Sequence, residues 1–387
     1  MKICIITFFS DLLRKDTGPT VRIYNLAKGL TSIGHEVNII IPWYKRTYRQ
    51  VNGLHIYYIN GVLPRAILRA LSKLLGVARP SSFFLYDLFF ILRIGRIIRE
   101  SHIVQIEEQE AGLLLIPIIS TIFRKRVVVD CHDVLQALRI KHTSRLRTIL
   151  ETFSEKMAYK YSSAILAVSE NERDLLVSYG VKKDKIWVIP NGVDTEAFNP
   201  SINADRVKSM FDLRKYRTVI FVGNIDYPPN LEAVRMIASK IAPQVRKRIK
   251  NVKFLIIGRA SKKINVEGLI FTGVVDNVAE YLASADVAIA PLFHGSGTRL
   301  KILEYFSSGL PVISTSLGVK GLNVKKNVHA LIEDDVNKFA VRIIELLKNK
   351  ALATNLGKAG RKLVIDCYDW KKIIKFLSEV YSKIIYL

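Results

Sequence analysis

Short runs of β-branched and apolar residues alternate along the chain with segments whose apolar residues recur at helical spacing. At the N-terminus the pattern predicts a strand over Lys2–Phe8, a helix over Val21–Ser32 that ends at Gly34, and a strand over Glu36–Ile41. A strand, a helix and a strand in this order predict a right-handed βαβ unit and therefore the start of a parallel sheet.

The same alternation continues to the C-terminus and predicts two consecutive α/β halves. Beyond the turn Pro190–Asp194 the composition changes to a polar connector, so we expect a domain boundary near 190–215. A chain of 387 residues is also long for a single hydrophobic core. Further strands are predicted over Leu54–Ile59, Ile103–Ile106, Val127–Val129, Ala164–Val168, Ile186–Ile189, Thr218–Val222, Phe254–Ile257, Ile270–Thr272 and Val312–Thr315. Further helices are predicted over Pro64–Val77, Ser82–Glu100, Ser144–Tyr161, Glu170–Ser178, Leu231–Ile241, Val278–Ser284, Asp335–Lys348 and Ala351–Ile365, with a last helix from Asp369 onwards.

A glycine-containing loop separates a strand from a helix within the segment Ala288–Leu322. The strand is predicted over Asp286–Pro291, the loop contains Gly295 and Gly297, and the helix is predicted over about Thr298–Ser308. A glycine loop that leads into a helix N-terminus offers free backbone N–H groups, and these groups bind anions.

Two cations and a carboxylate follow this loop in the first two turns of the predicted helix. Arg299 and Lys301 are two residues apart near the helix N-terminus, and Glu304 lies one turn further along. Two cations suit a diphosphate, and a carboxylate beyond them suits the hydroxyl groups of a sugar. We therefore predict a nucleotide-sugar site here.

Two more candidates lie at the carboxyl edge of the first predicted sheet, where ligands bind in open α/β folds. Gly18 and Pro19 lie in the loop that precedes the first helix, and His132 follows the predicted strand Val127–Val129. A histidine at this edge can hydrogen-bond a sugar hydroxyl or transfer a proton. The alternatives are an ordinary turn at Gly18 and a loop histidine paired with its neighbour at His132.

Composition adds a strong charge signal to this picture. The formal net charge is +25, which favours an acidic partner such as nucleic acid, an anionic membrane face or a phosphorylated substrate. The cysteines (Cys4, Cys131 and Cys367) are odd in number and widely separated, which argues against a disulfide framework or a zinc site and fits a reducing compartment. The N-terminal apolar run is too short for a signal peptide and favours a first strand.

One predicted helix favours the membrane among these partners. In Pro64–Val77, Arg65, Arg69 and Lys73 recur one turn apart opposite an apolar face, which suits an anionic membrane surface. A solvated charged face over a core-facing stripe explains the same pattern. The apolar segment Gly112–Phe123 is too short to span a bilayer and contains a proline.

Motifs distributed over nearly the whole chain resemble the family 4 retaining glycosyltransferases of GT-B fold. In the N-terminal half they are TGPTVRIYNLAKGLTSIGHEV (17–37), VVVDCHD (127–133), AVSENERDLL (167–176) and IWVIPNGVDTEAF (186–198). In the C-terminal half they are FVGNIDYPPNLEAV (221–234), FTGVV (271–275), ADVAIAPLFHGSGTRLKILEYFSSGLPVIST (285–315) and YDW (368–370).

The resemblance implies an α/β fold with two Rossmann-like, doubly wound domains that face each other across a cleft. It implies an acceptor-binding domain over 1–200, a nucleotide-sugar-binding domain over 201–368 and a C-terminal helix, 369–387, that packs back towards the first domain. The implied enzyme is a retaining hexosyltransferase of class EC 2.4. It transfers sugar from a nucleotide-sugar donor to a glycan or lipid-linked acceptor at the cytoplasmic membrane face. No metal or other cofactor is expected.

The resemblance also implies roles for individual residues. The donor diphosphate is expected among Arg299, Lys301 and the Gly18 loop, His132 is expected beside the donor sugar, and Glu304 is expected to hold the ribose. The first glutamate of the family's E-x7-E motif is replaced here by Ser296, which leaves the donor sugar open. The complete set of implied donor-binding residues is Gly18, Asn224, Gly295, Ser296, Gly297, Thr298 and Glu304. At Asn224 and the loop after it, many members carry an arginine and then a lysine.

Three other functions remain as alternatives at this stage. A nucleotide-sugar epimerase shares the fold, and a basic nucleic-acid-binding protein would explain the net charge without any recognisable nucleic-acid motif. A nicotinamide oxidoreductase is disfavoured because the GSGTRL loop has only two of the glycines of GxGxxG.

Overall fold

The computed structural model describes residues 1–9, 12–14, 17–43, 46–60, 88–107, 111, 113–132, 145–261, 268–295 and 298–386. The chain divides into two compact units, and it crosses between them twice. One unit comprises Met1–Pro190 together with Lys371–Leu387, and the other comprises Asn191–Trp370. The basic helix predicted over Pro64–Val77, with Arg65, Arg69 and Lys73, lies outside the described residues.

The first unit is built on a sheet of mostly parallel strands. In its centre the order is β2-β1-β5-β6, and β4, β7 and β8 continue the parallel pairing. Strands β1, β5 and β6 are nearly continuous apolar runs and are buried on both faces, as expected where helices cover a parallel sheet. The strands are β1 (Lys2–Ile6), β2 (Glu36–Pro42), β3 (Thr47–Val51), β4 (Leu54–Ile59), β5 (Ile103–Ile106), β6 (Arg126–Cys131), β7 (Ala164–Ala167) and β8 (Ile186–Val188).

Strand β3 was not predicted. It pairs antiparallel with β4 through the turn Asn52-Gly53, and both turn residues have positive φ. An Asn-Gly turn of this kind is the strongest short-range signal of a hairpin, and it is present in the sequence. The polar, exposed composition of β3 concealed the strand, because an edge strand over solvent needs no apolar face.

The first helix, α1 (Gly18–Ser32), begins three residues earlier than the prediction of Val21–Ser32. Thr17 caps it: its hydroxyl accepts from the Thr20 amide, and the Thr20 hydroxyl accepts from the Thr17 amide. Pro19 is compatible with this first turn, where no intrahelical N–H bond is required. Gly18 is therefore the first residue of the helix and not part of a preceding loop.

Most of the other helices of the first unit follow the predictions, but the helix over Leu115–Thr121 was not predicted. The last of them returns to this unit after the chain has built the second, and it packs so tightly that a Cβ at Gly29 of α1 would lie 1.8 Å from Ile374 Cδ1. They are α2 (Leu88–Glu100), α3 (Leu115–Thr121), α4 (Arg145–Tyr161), α5 (Glu170–Ser178) and the C-terminal helix α13 (Trp370–Tyr386).

The second unit contains a parallel sheet in the order β11-β10-β9-β12-β13-β14. The helix predicted over Leu231–Ile241 is longer than expected, because a π-helical turn over Ile237–Ile241 joins α7 to α8. The strands are β9 (Arg217–Val222), β10 (Val252–Ile257), β11 (Leu269–Gly273), β12 (Val287–Ala290), β13 (Val312–Ser314) and β14 (Leu331–Ile332). The helices are α6 (Asp205–Met210), α7 (Pro228–Met236), α8 (Ala242–Arg248), α9 (Val278–Ala283), α10 (Leu300–Ser307), α11 (Val336–Lys348) and α12 (Lys350–Cys367).

Each sheet has a point where the strand order reverses, and these points position the candidate sites. In the first unit the chain runs outward from β1 through β2 to β4 and then returns to β5 on the other side of β1. In the second it runs from β9 to β11 and returns to β12 beside β9. Ligands of doubly wound sheets bind at such switch points, beyond the carboxyl ends of the strands. The prediction of two Rossmann-like α/β domains with a C-terminal helix is confirmed. Within the described ranges, none of the helices combines the length and apolar character needed to cross a bilayer.

Candidate functional site

The switch point of the second unit brings the loop after β9 next to the loop after β12. Gly223 follows β9 directly, and the loop after β12 leads into α10, which carries Lys301 in its first turn. The Lys301 ammonium reaches across to the first loop and donates to Asn230 Oδ1 at 2.8 Å. The Asn230 amide in turn donates to the backbone oxygen of Asn224 at 2.8 Å, so the two loops are joined through one buried amide.

The ammonium of Lys301 lies in a confined space. It is 4.2 Å from the centre of the Phe221 ring, a cation–π distance. A Cβ at Gly223 would lie 2.7 Å from Lys301 Nζ and 2.8 Å from Asn230 Nδ2, so only glycine leaves room for this arrangement. No carboxylate lies within ion-pair distance of Lys301 in the part of the chain that the structure describes.

Desolvation dominates the electrostatics of this cluster. Lys301 and Glu304 each keep some accessible surface, but protein atoms surround both side chains on most sides. Burial and the nearby charge of Arg299 lower the pKa of Lys301 to about 7, although Glu304 opposes the shift. Burial raises the pKa of Glu304 to about 7, with Lys301 opposing. Both groups thus change charge near neutral pH.

We expect donor binding to depend on pH through Lys301. A bound diphosphate stabilises the ammonium and raises its pKa above the free value of about 7. Protonated Lys301 therefore binds the donor best, and affinity falls as pH rises above that value, by up to about tenfold per pH unit. Titration calorimetry with a nucleotide sugar, whose diester phosphates do not titrate here, measures this slope. Glu304 ionises in the same pH range, so the Glu304→Gln protein allows the effect of Lys301 to be measured alone. In the Lys301→Met protein, affinity should not fall in this way.

The other predicted residues of this loop are placed as follows. Gly295 has φ +107°, and a Cβ there would lie 2.9 Å from Arg299 Nη2, so the Arg299 guanidinium folds back over the loop. Helix α10 begins at Leu300, with Arg299 at the N-cap and Thr298 just before it. Ser296 and Gly297 lie outside the described residues, and their donor contacts remain predictions.

Asn224 is exposed, and its side chain serves its own loop by accepting from the Asp226 amide at 3.1 Å. Asp226 then accepts from the backbone amide and the hydroxyl of Ser261, both at 2.7 Å. These bonds hold the loop after β9 in one conformation. The residue of this loop that contacts Lys301 is Asn230, which was not predicted; its place in the YPPN turn at the start of a helix was the available signal.

The switch point of the first unit holds a buried charged cluster. His132 follows β6, and its Nε2 lies 2.9 Å from Oε2 of Glu107, which follows β5. Arg22, on the inner face of α1, donates from Nε and Nη2 to the two carboxylate oxygens of Asp130 at 2.8 and 2.9 Å. Both side chains of that ion pair are fully buried. Among the residues of this cluster, only His132 was predicted as a site residue.

Three ligand-type side chains in this cluster, Glu107, Asp130 and His132, lie within 4.8 Å of one another. Every carboxylate oxygen among them already takes part in a hydrogen bond. Asp130 accepts two from Arg22, and Glu107 is bonded to Gln105 and His132. The cluster is therefore better described as a hydrogen-bonded ion network than as a set of vacant metal ligands.

Burial on its own lowers the pKa of His132, but the hydrogen bond to Glu107 and the charges of Asp130 and Glu107 outweigh it, so the net pKa is raised. Nε2 faces Glu107, and within the described residues Nδ1 has no hydrogen-bond partner. Gly18, at the start of α1 in the same unit, has open space where a Cβ would lie.

Two family profiles match separate stretches of the chain. The sequence profile of Glycosyltransferase Family 4 matches residues 17–197, and that of Glycosyl transferases group 1 matches residues 216–349. An uncharacterized 44.6 kDa protein of the Klebsiella pneumoniae cps region is 25% identical over 244 residues, covering 59% of this chain and 60% of that protein. A phosphatidyl-myo-inositol mannosyltransferase of Mycolicibacterium smegmatis is 28% identical over 208 residues, covering 51% of each chain.

A further relative is the UDP-Gal:alpha-D-GlcNAc-diphosphoundecaprenol alpha-1,3-galactosyltransferase of Escherichia coli. It is 25% identical over 243 residues, covering 59% of this chain and 62% of that enzyme. The chain thus spans less than two thirds of the length of each of these three relatives.

Among solved structures, Anabaena Alr3699/HepE in complex with UDP and glucose has a TM-score of 0.72 and 14% identity, covering 99% of this chain and 100% of that one. Sucrose-phosphate synthase from Thermosynechococcus elongatus has a TM-score of 0.74 and 17% identity, covering 100% and 99%. At these identities the likeness concerns the fold, and together with the two profiles it assigns the chain: it belongs to the family 4 glycosyltransferases of the glycosyl transferases group 1, enzymes with the GT-B fold.

Proposed function

We propose that the protein is a retaining glycosyltransferase that moves a sugar from a nucleotide-sugar donor to a lipid-linked or other glycan acceptor. The main support is the Lys301 ammonium, which is largely desolvated, bonded to the neutral amide of Asn230, and without an ion-pair partner among the described residues. A buried cation without a counter-charge is costly, and a bound diphosphate would neutralise it. The Anabaena HepE structure of similar fold, which is a complex with UDP and glucose, agrees with such a donor.

In this proposal Lys301 and Arg299 bind the donor diphosphate, with the backbone amides of Gly297 and Thr298. Glu304 accepts the ribose hydroxyls, since no hydrogen bond engages its carboxylate in the described part of the chain. In the first unit, the atom of His132 that is proposed to bind a sugar hydroxyl is Nδ1, because Glu107 holds Nε2. Ser296 stands where a sugar-binding glutamate is usual and leaves the donor sugar open.

The chemistry that we propose needs no metal. The bond between the sugar's anomeric carbon and the diphosphate oxygen breaks, and Lys301, Arg299 and the N-terminus of α10 stabilise the departing charge. The acceptor oxygen bonds to the same face of the anomeric carbon, and its proton passes to the departing phosphate oxygen. The configuration is thereby retained without a carboxylate nucleophile.

A donor panel tests the function. The protein is incubated with UDP-, GDP-, ADP- and CMP-linked sugars, with and without chelator, and release of the nucleotide is followed. Release from one donor class, undiminished by chelator and lost with Lys301→Met, is the expected result. Conversion of a donor into its epimer without nucleotide release would identify the epimerase alternative instead, and release from none would contradict the proposal.

The acceptor class is proposed from chemistry and from two named relatives. One relative acts on a diphosphoundecaprenol-linked sugar and another on a phosphatidyl-inositol lipid. Both acceptors are amphipathic and anionic. This chain has the opposite charge, a formal net charge of +25. We propose that the protein binds peripherally to the anionic cytoplasmic face of a membrane.

Among the described residues, helix α2 carries the protein surface that we propose contacts the membrane. Its inner face is buried at Phe90, Ile91, Ile94 and Ile98, whereas Phe89 and Leu92 are 57% and 64% exposed. Arg96 and Arg99 lie one and two turns further along on the same exposed side. Apolar side chains beside basic ones on one helix face suit insertion at the level of the lipid headgroups.

We expect the Phe89→Ser/Leu92→Ser protein to lose most of its flotation with vesicles that contain phosphatidylglycerol. The matched control changes two apolar residues of similar exposure in the other unit, Met210→Ser/Val341→Ser, and should float as the parent does. The Arg65→Ala/Arg69→Ala/Lys73→Ala protein should also bind less. Equal flotation of all four proteins would contradict membrane binding through this part of the chain.

A further inference from the structure

A chain of buried polar side chains links the C-terminal helix to His132. Its members come from separate parts of the first unit: Tyr381 from α13, Gln105 from β5, Glu107 from the end of β5 and His132 from the end of β6. Tyr381 and Gln105 are fully buried, and Glu107 is 1% exposed. Such a network inside a core persists only where its members satisfy one another's hydrogen bonds.

Hydrogen bonds join these four side chains in sequence. The Tyr381 hydroxyl donates to Gln105 Oε1. The amide nitrogen of Gln105 donates to Glu107 Oε1 at 2.5 Å, and the other oxygen of Glu107 lies 2.9 Å from His132 Nε2. Tyr381 is thus three hydrogen bonds from the imidazole.

The Tyr381 hydroxyl donates to the Gln105 amide oxygen, an arrangement in which the other end of the amide faces Glu107. With the hydroxyl present, the amide oxygen accepts from Tyr381 and the amide NH₂ points at the carboxylate. A donor directed at a carboxylate favours its ionised form, whereas a carbonyl oxygen in the same place would favour the protonated acid. The tyrosine therefore biases the charge state of Glu107 without touching it.

Glu107 and His132 are two titratable groups joined by a hydrogen bond, and each shifts the pKa of the other. Burial and the neighbouring Asp130 raise the pKa of Glu107, and the bonds from His132 and Gln105 oppose that shift. Around the pair lie Asp130 on β6, Arg22 on α1, which lowers the pKa of His132, and Tyr381 on α13. Because the effects on each group oppose one another, the loss of one hydrogen bond can change where the proton lies.

We propose that Tyr381 is a positioning residue that acts through Gln105 to keep Glu107 ionised and the proton on His132. This inference rests on the proposed function only for its relevance to catalysis, because the proton distribution is a property of the unliganded protein. The protonation state of His132 then depends on the C-terminal helix, which belongs to this unit although the chain builds the other unit before it.

The test measures His132 directly by NMR titration of protein with ¹⁵N-labelled histidine, and the His132 signal is identified by its loss in His132→Gln. The Tyr381→Phe protein keeps the ring and removes only the hydroxyl, and its His132 pKa should fall below the wild-type value. Tyr386→Phe, on the same helix but 90% exposed, is the matched control and should leave it unchanged. Gln105→Met interrupts the chain independently and should lower it too.

The double variant Tyr381→Phe/Gln105→Met separates this role from a packing effect. If Tyr381 acts through Gln105, the double variant has the His132 pKa of Gln105→Met alone, whereas independent effects would add. An unchanged His132 pKa in Tyr381→Phe, or additive shifts, would overturn the proposal. Because the titration needs no substrate, its result stands apart from any failure to find a donor; where a donor is found, the pH profile of kcat should shift in Tyr381→Phe in the same direction.

Discussion

Replacing Lys301 with methionine is expected to lower kcat/KM by about 30- to 1000-fold, a loss of roughly 2–4 kcal/mol of transition-state stabilisation. The ammonium is the proposed electrostatic partner of the leaving diphosphate, and methionine keeps the length of the stem without the charge. Arg299→Met should have an effect in the same range. The measurement is steady-state kinetics with the donor identified in the panel.

Two further variants test whether this loss is specific to the Lys301 site. Lys358→Met removes an exposed lysine of the same unit and should leave activity and fold unchanged. Gly223→Ala places a methyl group 2.7 Å from Lys301 Nζ and 2.8 Å from Asn230 Nδ2, and both atoms are at the ends of side chains that can shift. The protein should therefore still fold while activity falls by up to about a hundredfold. Retained activity in both Lys301→Met and Arg299→Met would refute the assignment of the diphosphate site.

Replacing Arg22 with leucine is expected to destabilise the first unit by about 3–5 kcal/mol. The change leaves the Asp130 carboxylate in a fully buried position without its bidentate partner. It also removes the bond from Arg22 Nη1 to the backbone oxygen of Pro190 at 3.1 Å. Hydrogen exchange of peptides from β5 and β6, followed by mass spectrometry across a urea series, measures the loss in this unit specifically.

The control is Arg214→Leu, which changes an exposed arginine whose partner Asp205 is also exposed; such pairs contribute little. The double variant Arg22→Leu/Asp130→Asn should recover part of the lost stability, because the neutral amide is less costly to bury than an unpaired carboxylate. No loss of protection in Arg22→Leu would show that the pair contributes nothing to the native state.

The Asn-Gly turn and the first helix illustrate where local patterns were sufficient and where they were not. The start of α1 could have been predicted from neighbouring residues, because the capping residues Thr17 and Thr20 and the first-turn Pro19 lie together in the sequence. Strand β3 was missed although its turn was readable, because an exposed edge strand lacks the apolar alternation on which strand prediction depends.

Two charged residues stand out in the sequence as unusual, but the sequence does not show why they are there. Asp130 interrupts an apolar strand, and Arg22 lies on the apolar face of a helix. Each is anomalous in its own element, since charged groups are seldom fully buried unless paired. Their pairing across a sequence separation of 108 residues could not be read from either segment alone.

The sequence by itself determined the alternation of strands and helices, the two α/β halves, the family, and the glycine loop with Arg299, Lys301 and Glu304. These features depend on neighbouring residues and on local spacing, which a linear pattern records. Only the tertiary structure decided that Asn230, Gly223 and Phe221 enclose the Lys301 ammonium, and that Tyr381 reaches His132 through Gln105 and Glu107. Those contacts arise where the strand order reverses and where the last helix rejoins the first unit, so residues far apart in the chain meet only after it has folded.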